Sequence, residues 1–544
     1  MKTCPLVCQM KPYIQPFEQV LAIRELESLS GTTVQTNGNS SGTVSYRVKT
    51  EHTPEYLADR LTYWEKIYPD NPLSNGIYTR QVKREATVNL ARNGISFEHL
   101  KDYFPTNGEV TVPNRRNLRY GSHSIHEYRG KFFPQLVRSL INISSVASDA
   151  VVLDPMCGSG TTPVETALLG CQALGVDFNP LSVLMSKVKS DIMTVPPDLL
   201  LDEYQSLWRD LETLGAPTGK LFWLESLPKT DRIYLSRWFA VEALAALDPI
   251  MVRIQATPNS ACRALFTISL SNILRSVSWQ KVDDLRVRKD KQNGNQDNVK
   301  NEFLYELARS VKLVLAFLYE NEGFQTGQVE IIQGNARKLD QILANQAGQI
   351  DAIITSPPYA TALPYLDTDR LSLSYLNLLP RSEHRERDYG MIGNREINKR
   401  RKEVYWEEYL SRRNELPHEI TETIEEIKSR NDASNAGFRR QNLPALLARY
   451  FFDMLTLMGH FRHVLKENAP AYVVVGNNHT IAGGKRIEIE TNIYLGMLGE
   501  VAGLKLEDAI PMEMLVSRDI FKKNTSTKES ILCFRNPVVS PHSL

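Results

Sequence analysis

Short apolar runs that end in polar residues, glycine or proline recur along this 544-residue chain. Four of them lie at 151–153, 172–177, 350–354 and 471–476, and a fifth lies at 529–534. Runs of this length, rich in Val and Ile, predict buried strands, and strands buried on both faces are typical of parallel sheets. The last run is expected to form the final hairpin strand.

Apolar residues at helical spacing separate several of these strand patterns. Leu446, Tyr450, Met454 and Leu457 recur along one face of a segment at 442–467, which predicts an amphipathic helix leading into the next strand. The alternation of strand and helix patterns predicts an α/β fold with a mostly parallel, doubly wound sheet. Large stretches without strand patterns predict insertions into that sheet.

A glycine-containing turn follows the first of the buried runs. Residues 151–162 read VVLDPMCGSGTT, and Gly158 and Gly160 allow the backbone to approach a ligand closely. A helix is predicted next, with Thr161 or Thr162 as its N-cap. The second strand then ends at Asp177, which follows Gly158 by 19 positions. This order of elements and this spacing predict a nucleoside site in which the acid binds the ribose hydroxyls.

A second chemical signal follows the run at 350–354. It is the tetrapeptide Ser356-Pro357-Pro358-Tyr359. Neither proline has an N–H, so the turn presents acceptors, to which Ser356 adds a hydroxyl and Tyr359 a flat ring. Acceptors that grip an amino group beside a ring that stacks on a base suit chemistry on an exocyclic amine. Alone, the same residues are also consistent with a turn that has no chemistry.

Together these motifs resemble the amino-group DNA methyltransferases that use S-adenosylmethionine. The similarity rests on DPMCGSGTT, GVDFNP and TSPPY, and on the flanking segments 126–134 (HEYRGKFFP) and 331–337 (IIQGNAR). Serine before the two prolines is most typical of the N4-cytosine type, whereas Asp or Asn there is more typical of N6-adenine enzymes. The resemblance implies a seven-stranded, Rossmann-like methyltransferase sheet with large helical insertions.

The resemblance also implies roles for individual residues. Asn335 stands where the family usually has Asp, and its side-chain oxygen can still accept a hydrogen bond from the adenine amino group. The expected catalytic residues are Ser356, Pro357, Pro358 and Tyr359, and no metal is required. The expected cofactor-binding residues are Lys131, Phe132, Asp154, Pro155, Cys157, Gly158, Ser159, Gly160, Thr161, Asp177, Phe178, Asn179, Asn335 and Ala336.

The chain is too long for a single ordinary core, so several units are expected. A Gly/Ser/Thr/Asn-rich stretch at 31–42 predicts a loop or linker within the first unit. The predicted units are an accessory segment at 1–115, the first part of the core at 116–194, a helical insertion at 195–325, the core with the catalytic loop at 326–380, a charged insertion at 381–440, and the end of the core at 441–544.

The overall composition bears on the class of protein and on its location in the cell. Hydrophobic residues make up 42% and charged residues 23% of the chain, as in globular proteins. The net charge of +1 does not indicate a nucleic-acid binder, so phosphate binding requires a local basic face. Six scattered cysteines form no disulfide framework, and no apolar run has the length of a membrane span. We therefore expect a cytoplasmic protein without membrane contact.

The expected substrate is double-stranded DNA with its target base flipped out of the helix. Both large insertions are candidates for target recognition, and the basic stretches Arg395–Lys402 and Arg286–Lys291 are the favoured DNA contacts. A cognate restriction nuclease or defence-system subunits are possible partners. Three alternatives remain open: an N6-adenine DNA methyltransferase, an RNA amino-group methyltransferase, and a catalytically silent DNA-binding subunit.

Overall fold

The computed structural model describes most of the chain, with gaps between the described ranges. These ranges are 4–40, 43–69, 75–106, 110, 117–128, 130, 133–215, 219–281, 288–290, 298–360, 365–395, 397–434, 436–513 and 528–538. Two predicted cofactor residues, Lys131 and Phe132, therefore lie outside the described residues. Among the described residues, none of the helices is both long and apolar enough to cross a membrane.

An antiparallel sheet with strand order β2-β3-β1-β4-β5 forms the first unit. Its strands are β1 Cys4–Met10, β2 Gln35–Ser40, β3 Thr43–Thr50, β4 Trp64–Pro69 and β5 Ile77–Tyr78, and its helices are α1 Pro16–Ser30, α2 Pro54–Arg60, α3 Arg80–Arg92 and α4 Phe97–Leu100. The prediction of a loop at 31–42 was wrong for 35–40, which form β2, whereas 31–34 do lie outside regular structure. An edge strand pairs through its backbone with one neighbour, so its side chains need not be apolar.

The central sheet has seven strands in the order β13-β14-β10-β9-β6-β7-β8. Strands β8, β7, β6, β9 and β10 are parallel, whereas β14 pairs antiparallel with both β10 and β13. The bounds are β6 Val151–Asp154, β7 Gln172–Asp177, β8 Val329–Gln333, β9 Ala352–Thr355, β10 Pro470–Gly476, β13 Lys505–Glu513 and β14 Lys528–Arg535, with a separate hairpin of β11 Asn478–Ala482 and β12 Lys485–Ile489. This is the Rossmann-like methyltransferase architecture that the sequence predicts.

Alternation along the central strands explains why the sheet is covered on both faces. In β9, Ile354 packs with helices α1 (Pro16–Ser30) and α5 (Pro134–Ile143), whereas Ile353 packs into the cluster on the opposite face. Because successive side chains point to opposite faces, a short run that is apolar throughout is buried on both. The buried runs predicted from the sequence are therefore central strands of this sheet.

Helices connect and cover the strands. The first βαβ unit contains α6 Thr161–Ala167 and α7 Pro180–Asp191. The first insertion contains α8 Pro197–Glu212, α9 Phe222–Ser226, α10 Lys229–Leu235, α11 Val241–Gln255, α12 Ser260–Ile273 and α13 Val299–Glu320. The remaining helices are α14 Leu339–Ile342, α15 Tyr365–Tyr375, α16 His384–Gly390, α17 Lys399–Arg412, α18 His418–Ala433, α19 Phe438–Val464 and α20 Thr491–Val501.

The N-cap of α6 differs from the prediction. Gly160 occupies that position with a left-handed φ of 82°, and Thr161 is already the first helical residue. Thr161 and Thr162 are therefore inside the helix, and the prediction of a threonine cap was wrong. The tight turn after β6 needs positive φ at its last residue, which glycine adopts at little cost.

Candidate active site

A cleft opens at the carboxyl ends of β6, β7, β8 and β9, where ligands bind in sheets of this kind. Its empty space, which is continuous with solvent, measures about 730 Å³. Its lining is formed by Tyr128, Gly130, Pro155, Met156, Cys157, Gly158, Ser159, Thr161, Asp177, Phe178, Gly334, Asn335, Ala336, Ser356, Pro358, Gly390, Met391 and Ile392. Residues of both sequence motifs thus face one cavity.

The glycine turn after β6 is packed too closely for any side chain. A Cβ on Gly158 would lie 2.8 Å from the ring of Tyr128, and one on Gly160 would lie 2.4 Å from the Ser186 hydroxyl. Both glycines also have positive φ, at 51° and 82°. The turn therefore brings backbone, rather than side chains, to the floor of the cleft.

Asp177, at the end of β7, forms a hydrogen bond with this turn. Its Oδ2 accepts a hydrogen bond from the Gly158 N–H at 2.8 Å, and its Oδ1 accepts one from the Asn179 N–H at 2.8 Å. Burial raises the pKa of Asp177 to about 6 in spite of these hydrogen bonds. The spacing of 19 positions thus corresponds to direct contact between the glycine turn and the acid.

Asp154 lies beneath the turn instead of on the surface of the cleft. It is 1% exposed and accepts a hydrogen bond from the Met156 N–H at 3.1 Å. Burial raises its pKa to about 7, and the hydrogen bond from the Met156 N–H opposes that effect. Its position at the end of β6, directly before the turn, indicates that it supports the turn.

Two other predicted cofactor residues also stand behind the surface of the cleft. Gly160 is the helix cap described above. Asn179 caps α7, because its side-chain oxygen accepts a hydrogen bond from Leu181 N–H at 3.1 Å. The Asn179 side-chain amide also donates to Asp369 Oδ2 at 2.7 Å. That bond connects α15, which follows the Ser-Pro-Pro-Tyr loop, to the start of α7.

Phe178 and Asn335 form the far end of the cleft. The guanidinium of Arg387 lies over the Phe178 ring, 4.6 Å from its centroid. The side-chain oxygen of Asn335 accepts hydrogen bonds from the N–H and the Nε of Arg337, both at 3.1 Å. That oxygen, which was expected to accept from adenine, is thus already engaged, so Asn335 also has a role in ordering the loop after β8.

The segment 390–392 forms a wall of the cleft that the sequence motifs did not reveal. It is held by Arg337, whose Nη2 donates to the Gly390 carbonyl at 2.6 Å. Nη1 of the same arginine pairs with Asp453 of α19 at 3.1 Å. Gly390 lies so close to the Phe178 ring that a Cβ would be 2.8 Å from it. These contacts join residues that are far apart in the chain, and no local pattern marks them.

The Ser-Pro-Pro-Tyr loop enters the cleft with only part of its length. Ser356 and Pro358 line the cavity, and Pro357 between them is buried. The Tyr359 hydroxyl donates to Glu529 Oε1 of β14 at 2.5 Å, and a Cβ on Gly476 would lie 3.0 Å from the Tyr359 ring. The loop thus places a serine and a proline at the cavity and fixes the tyrosine ring beside it.

The cavity fits S-adenosylmethionine. A close-packed glycine turn admits an extended chain, and an acid at the end of β7 provides acceptors for ribose hydroxyls. Phe178 lines the cavity together with Gly334 and Ala336, and its flat ring suits contact with a base. Pro155, Cys157, Ser159 and Thr161 complete the lining.

Comparisons with known proteins agree with this geometry. Residues 126–194 match the family described as an RMKL-like methyltransferase domain. The chain is 24% identical to the type II methyltransferase M.MvaI of Kocuria varians over 396 residues, which cover 70% of this chain and 82% of that protein. It is also 24% identical over 403 residues to the type II methyltransferase M.AvaI of Nostoc sp., with 70% and 78% covered.

A different group of relatives matches a much shorter region. The tRNA (guanine(10)-N2)-dimethyltransferase of Methanocaldococcus jannaschii is 27% identical over 103 residues, which is 18% of this chain and 29% of that protein. The similarity to type II methyltransferases therefore extends over most of the chain, whereas the similarity to tRNA methyltransferases is confined to a small part. Together the matches and the fold support a methyltransferase.

Proposed function

We propose that this protein transfers a methyl group from S-adenosylmethionine to the N4 amino group of cytosine in duplex DNA. The observation that carries the proposal is the placement of the Ser-Pro-Pro-Tyr loop, whose Ser356 and Pro358 open onto the same cavity as Gly158 and Asp177. The extended similarity to type II methyltransferases supports DNA as the substrate. The proposal includes a role in restriction–modification with a cognate nuclease as partner.

The catalytic loop acts on a nitrogen that is a poor nucleophile, because its lone pair is delocalised into the base. S-adenosylmethionine supplies an electrophilic methyl group on a positively charged sulfur. The Ser356 hydroxyl oxygen and the Pro357 carbonyl accept hydrogen bonds from the amino group, which localises the lone pair on nitrogen. As the new N–C bond forms, the S–C bond breaks and one amino proton is released to solvent. The loop thus contributes positioning and electrostatics.

Tyr359 provides the surface on which the flipped base stacks. Extrusion of a base from the duplex costs a few kcal/mol, and stacking in a pocket offsets part of that cost. The hydrogen bond from its hydroxyl to Glu529 and the packing of its ring near Gly476 fix the ring in one orientation. A fixed ring stacks without a further loss of side-chain entropy.

The product of the reaction tests the proposal directly. Purified protein would be incubated with isotopically labelled S-adenosylmethionine and unmethylated genomic DNA, which presents every short sequence. After digestion to nucleosides, chromatography with mass detection separates N4-methylcytosine from its isomer 5-methylcytosine and from N6-methyladenine. We expect label in N4-methylcytosine, and about a hundredfold less of it with the Tyr359→Ala variant. Label in N6-methyladenine, or only in RNA supplied in parallel, would contradict the assignment.

A further inference from the structure

A second cleft lies beside the cofactor cleft, and arginines dominate its lining. It encloses about 1210 Å³ of open space. Five arginines face it against two acids, Asp367 and Asp388, so its local charge differs sharply from the near-neutral chain. The arginines come from α15, from α16 with its flanks, and from the start of α19: Arg370, Arg381, Arg385, Arg395 and Arg439.

Aromatic rings hold several of these cations in place. Arg381 lies over the ring of Tyr234, 4.6 Å from its centroid, and Arg385 Nε donates to the Tyr389 hydroxyl at 2.9 Å. Phe438, which also lines the cleft, is 62% exposed. Arginines next to aromatic rings suit a ligand that presents both phosphates and flat bases.

Two helices begin at this cleft with positive charge in their first turns. The α17 helix starts with Lys399, Arg400 and Arg401, and α19 starts with Phe438, Arg439 and Arg440. Neither first turn contains an acid. Cations at a helix N-terminus face the positive end of the helix dipole, which costs stability. An anion bound between the two helix ends would offset that cost.

The cleft also adjoins the catalytic loop. Leu366 and Asp367 at the start of α15 line it, shortly after the loop ends. Gly393 packs against the loop so closely that a Cβ would lie 3.0 Å from Pro358 Cβ and 3.1 Å from the Tyr359 carbonyl. A ligand in this cleft therefore lies next to the place where the target base enters.

We propose that this cleft binds the phosphodiester backbone of duplex DNA beside the flipped base. The inference rests on the proposed function and adds the surface that positions the substrate. It selects Arg395–Lys402 over Arg286–Lys291 as the DNA contact, because Arg395 and Asn398 line the cleft. Of the second stretch, only 288–290 are described, and there Lys289 lies over the ring of Trp279, 4.4 Å from its centroid.

The salt dependence of DNA binding tests the cleft. Arg385 and Arg439 are exposed, so the double variant R385Q/R439Q should fold normally. Arg209 of α8 and Arg253 of α11 are equally exposed but lie in the helical insertion, so R209Q/R253Q is the matched control. Binding of a fluorescent random-sequence duplex would be followed by anisotropy over a range of salt concentrations, and cofactor binding by calorimetry.

We expect the cleft variant to lose affinity for every duplex sequence, because phosphate contacts carry no sequence information. Its plot of log affinity against log salt should become shallower by about 0.9 for each phosphate contact removed, or nearly two in all. Cofactor affinity should stay unchanged, and the control variant should bind DNA as the wild type does.

Three results would overturn the inference, and they are distinguishable. If the wild type binds and methylates DNA while R385Q/R439Q has the same salt slope as R209Q/R253Q, the cleft does not bind the backbone and the proposed function stands. If the wild type methylates no DNA and binds RNA in preference to duplex DNA, both proposals fail. Inorganic phosphate at the same ionic strength serves as competitor: displacement of the duplex at micromolar phosphate would assign the cleft to a small anion and overturn the inference.

Discussion

At the scale of single residues, the groups of the candidate active site lie at the ends of neighbouring strands of the central sheet. Asp177 accepts two backbone hydrogen bonds, and Tyr359 is fixed by Glu529. Burial also raises the pKa of Glu529, while the hydrogen bond from Tyr359 opposes that effect. Each group is held before any ligand arrives, which lowers the cost of binding.

Substitutions at Tyr359 separate the role of its ring from that of its hydroxyl. Tyr359→Ala removes the stacking surface and should lower methyl transfer by about two orders of magnitude, since stacking contributes roughly 1–3 kcal/mol per base. Tyr359→Phe keeps the ring and should retain most of the activity. The measurement is single-turnover transfer to DNA, with cofactor affinity as the control. Equal losses in both variants would assign the essential role to the hydroxyl.

The raised pKa of Asp177 predicts pH-dependent cofactor binding. Its carboxylate is the form that accepts hydrogen bonds from ribose hydroxyls, and its pKa is about 6. Since only about a tenth of the groups are ionised one pH unit below the pKa, affinity should fall roughly tenfold from pH 7.5 to pH 5. Calorimetry at matched ionic strength would measure this. Asp177→Asn should bind more weakly and show no such slope; a persisting slope would locate the titration elsewhere.

At the scale of elements, the first βαβ unit depends on the turn between β6 and α6. Gly160 and Gly170 have nearly the same positive φ, 82° and 84°. A Cβ on Gly160 would lie 2.8 Å from the backbone Cα of Ser186, whereas one on Gly170 would meet nothing within 4 Å. The two positions thus separate backbone strain from steric overlap.

Alanine substitutions at these two glycines test that distinction. Gly170→Ala should lower the free energy of unfolding by about 1–2 kcal/mol, the cost of a left-handed conformation for alanine. Gly160→Ala should cost more and should also weaken cofactor binding, because α6 must shift away from α7. Urea unfolding and calorimetry would measure both effects. Equal unfolding free energies for the two variants would show that Ser186 moves aside without a loss of stability.

Patterns in the sequence correctly predicted two kinds of feature. These are strands buried on both faces, and contacts between residues that are close in the chain. The strands β6, β7, β9 and β10 follow from apolar runs, and the contact of Gly158 with Asp177 follows from spacing. By contrast, β2 has no apolar pattern and forms through backbone pairing with β3. Residues 390–392 reach the cofactor cleft only through contacts with Arg337 and Phe178. Such long-range contacts leave no periodic signal in a single sequence.

At the scale of the whole molecule, helices cover both faces of the central sheet, and the candidate active site lies at the carboxyl ends of its strands. One face packs against α1 and α5, and the other packs against α18, α19 and α20. The helices of the first insertion form a core of their own with α6 and α7. The Ser-Pro-Pro-Tyr loop and the end of α16 line the first cleft, and α15 and α16 line the second. The helices packed around the sheet therefore hold both clefts in place.

The segment 388–392 borders both clefts, and this shared wall has a thermodynamic consequence. Asp388 and Tyr389 line the arginine cleft, and Gly390, Met391 and Ile392 line the cofactor cleft. A ligand that orders the wall from one side reduces the entropy that a ligand on the other side must remove. We therefore expect S-adenosylhomocysteine to tighten duplex binding and the duplex to tighten S-adenosylhomocysteine binding by the same factor, as reciprocity requires. Anisotropy and calorimetry would measure the two factors, and weakening of this coupling in Arg337→Gln, which frees Gly390, would trace it to the wall.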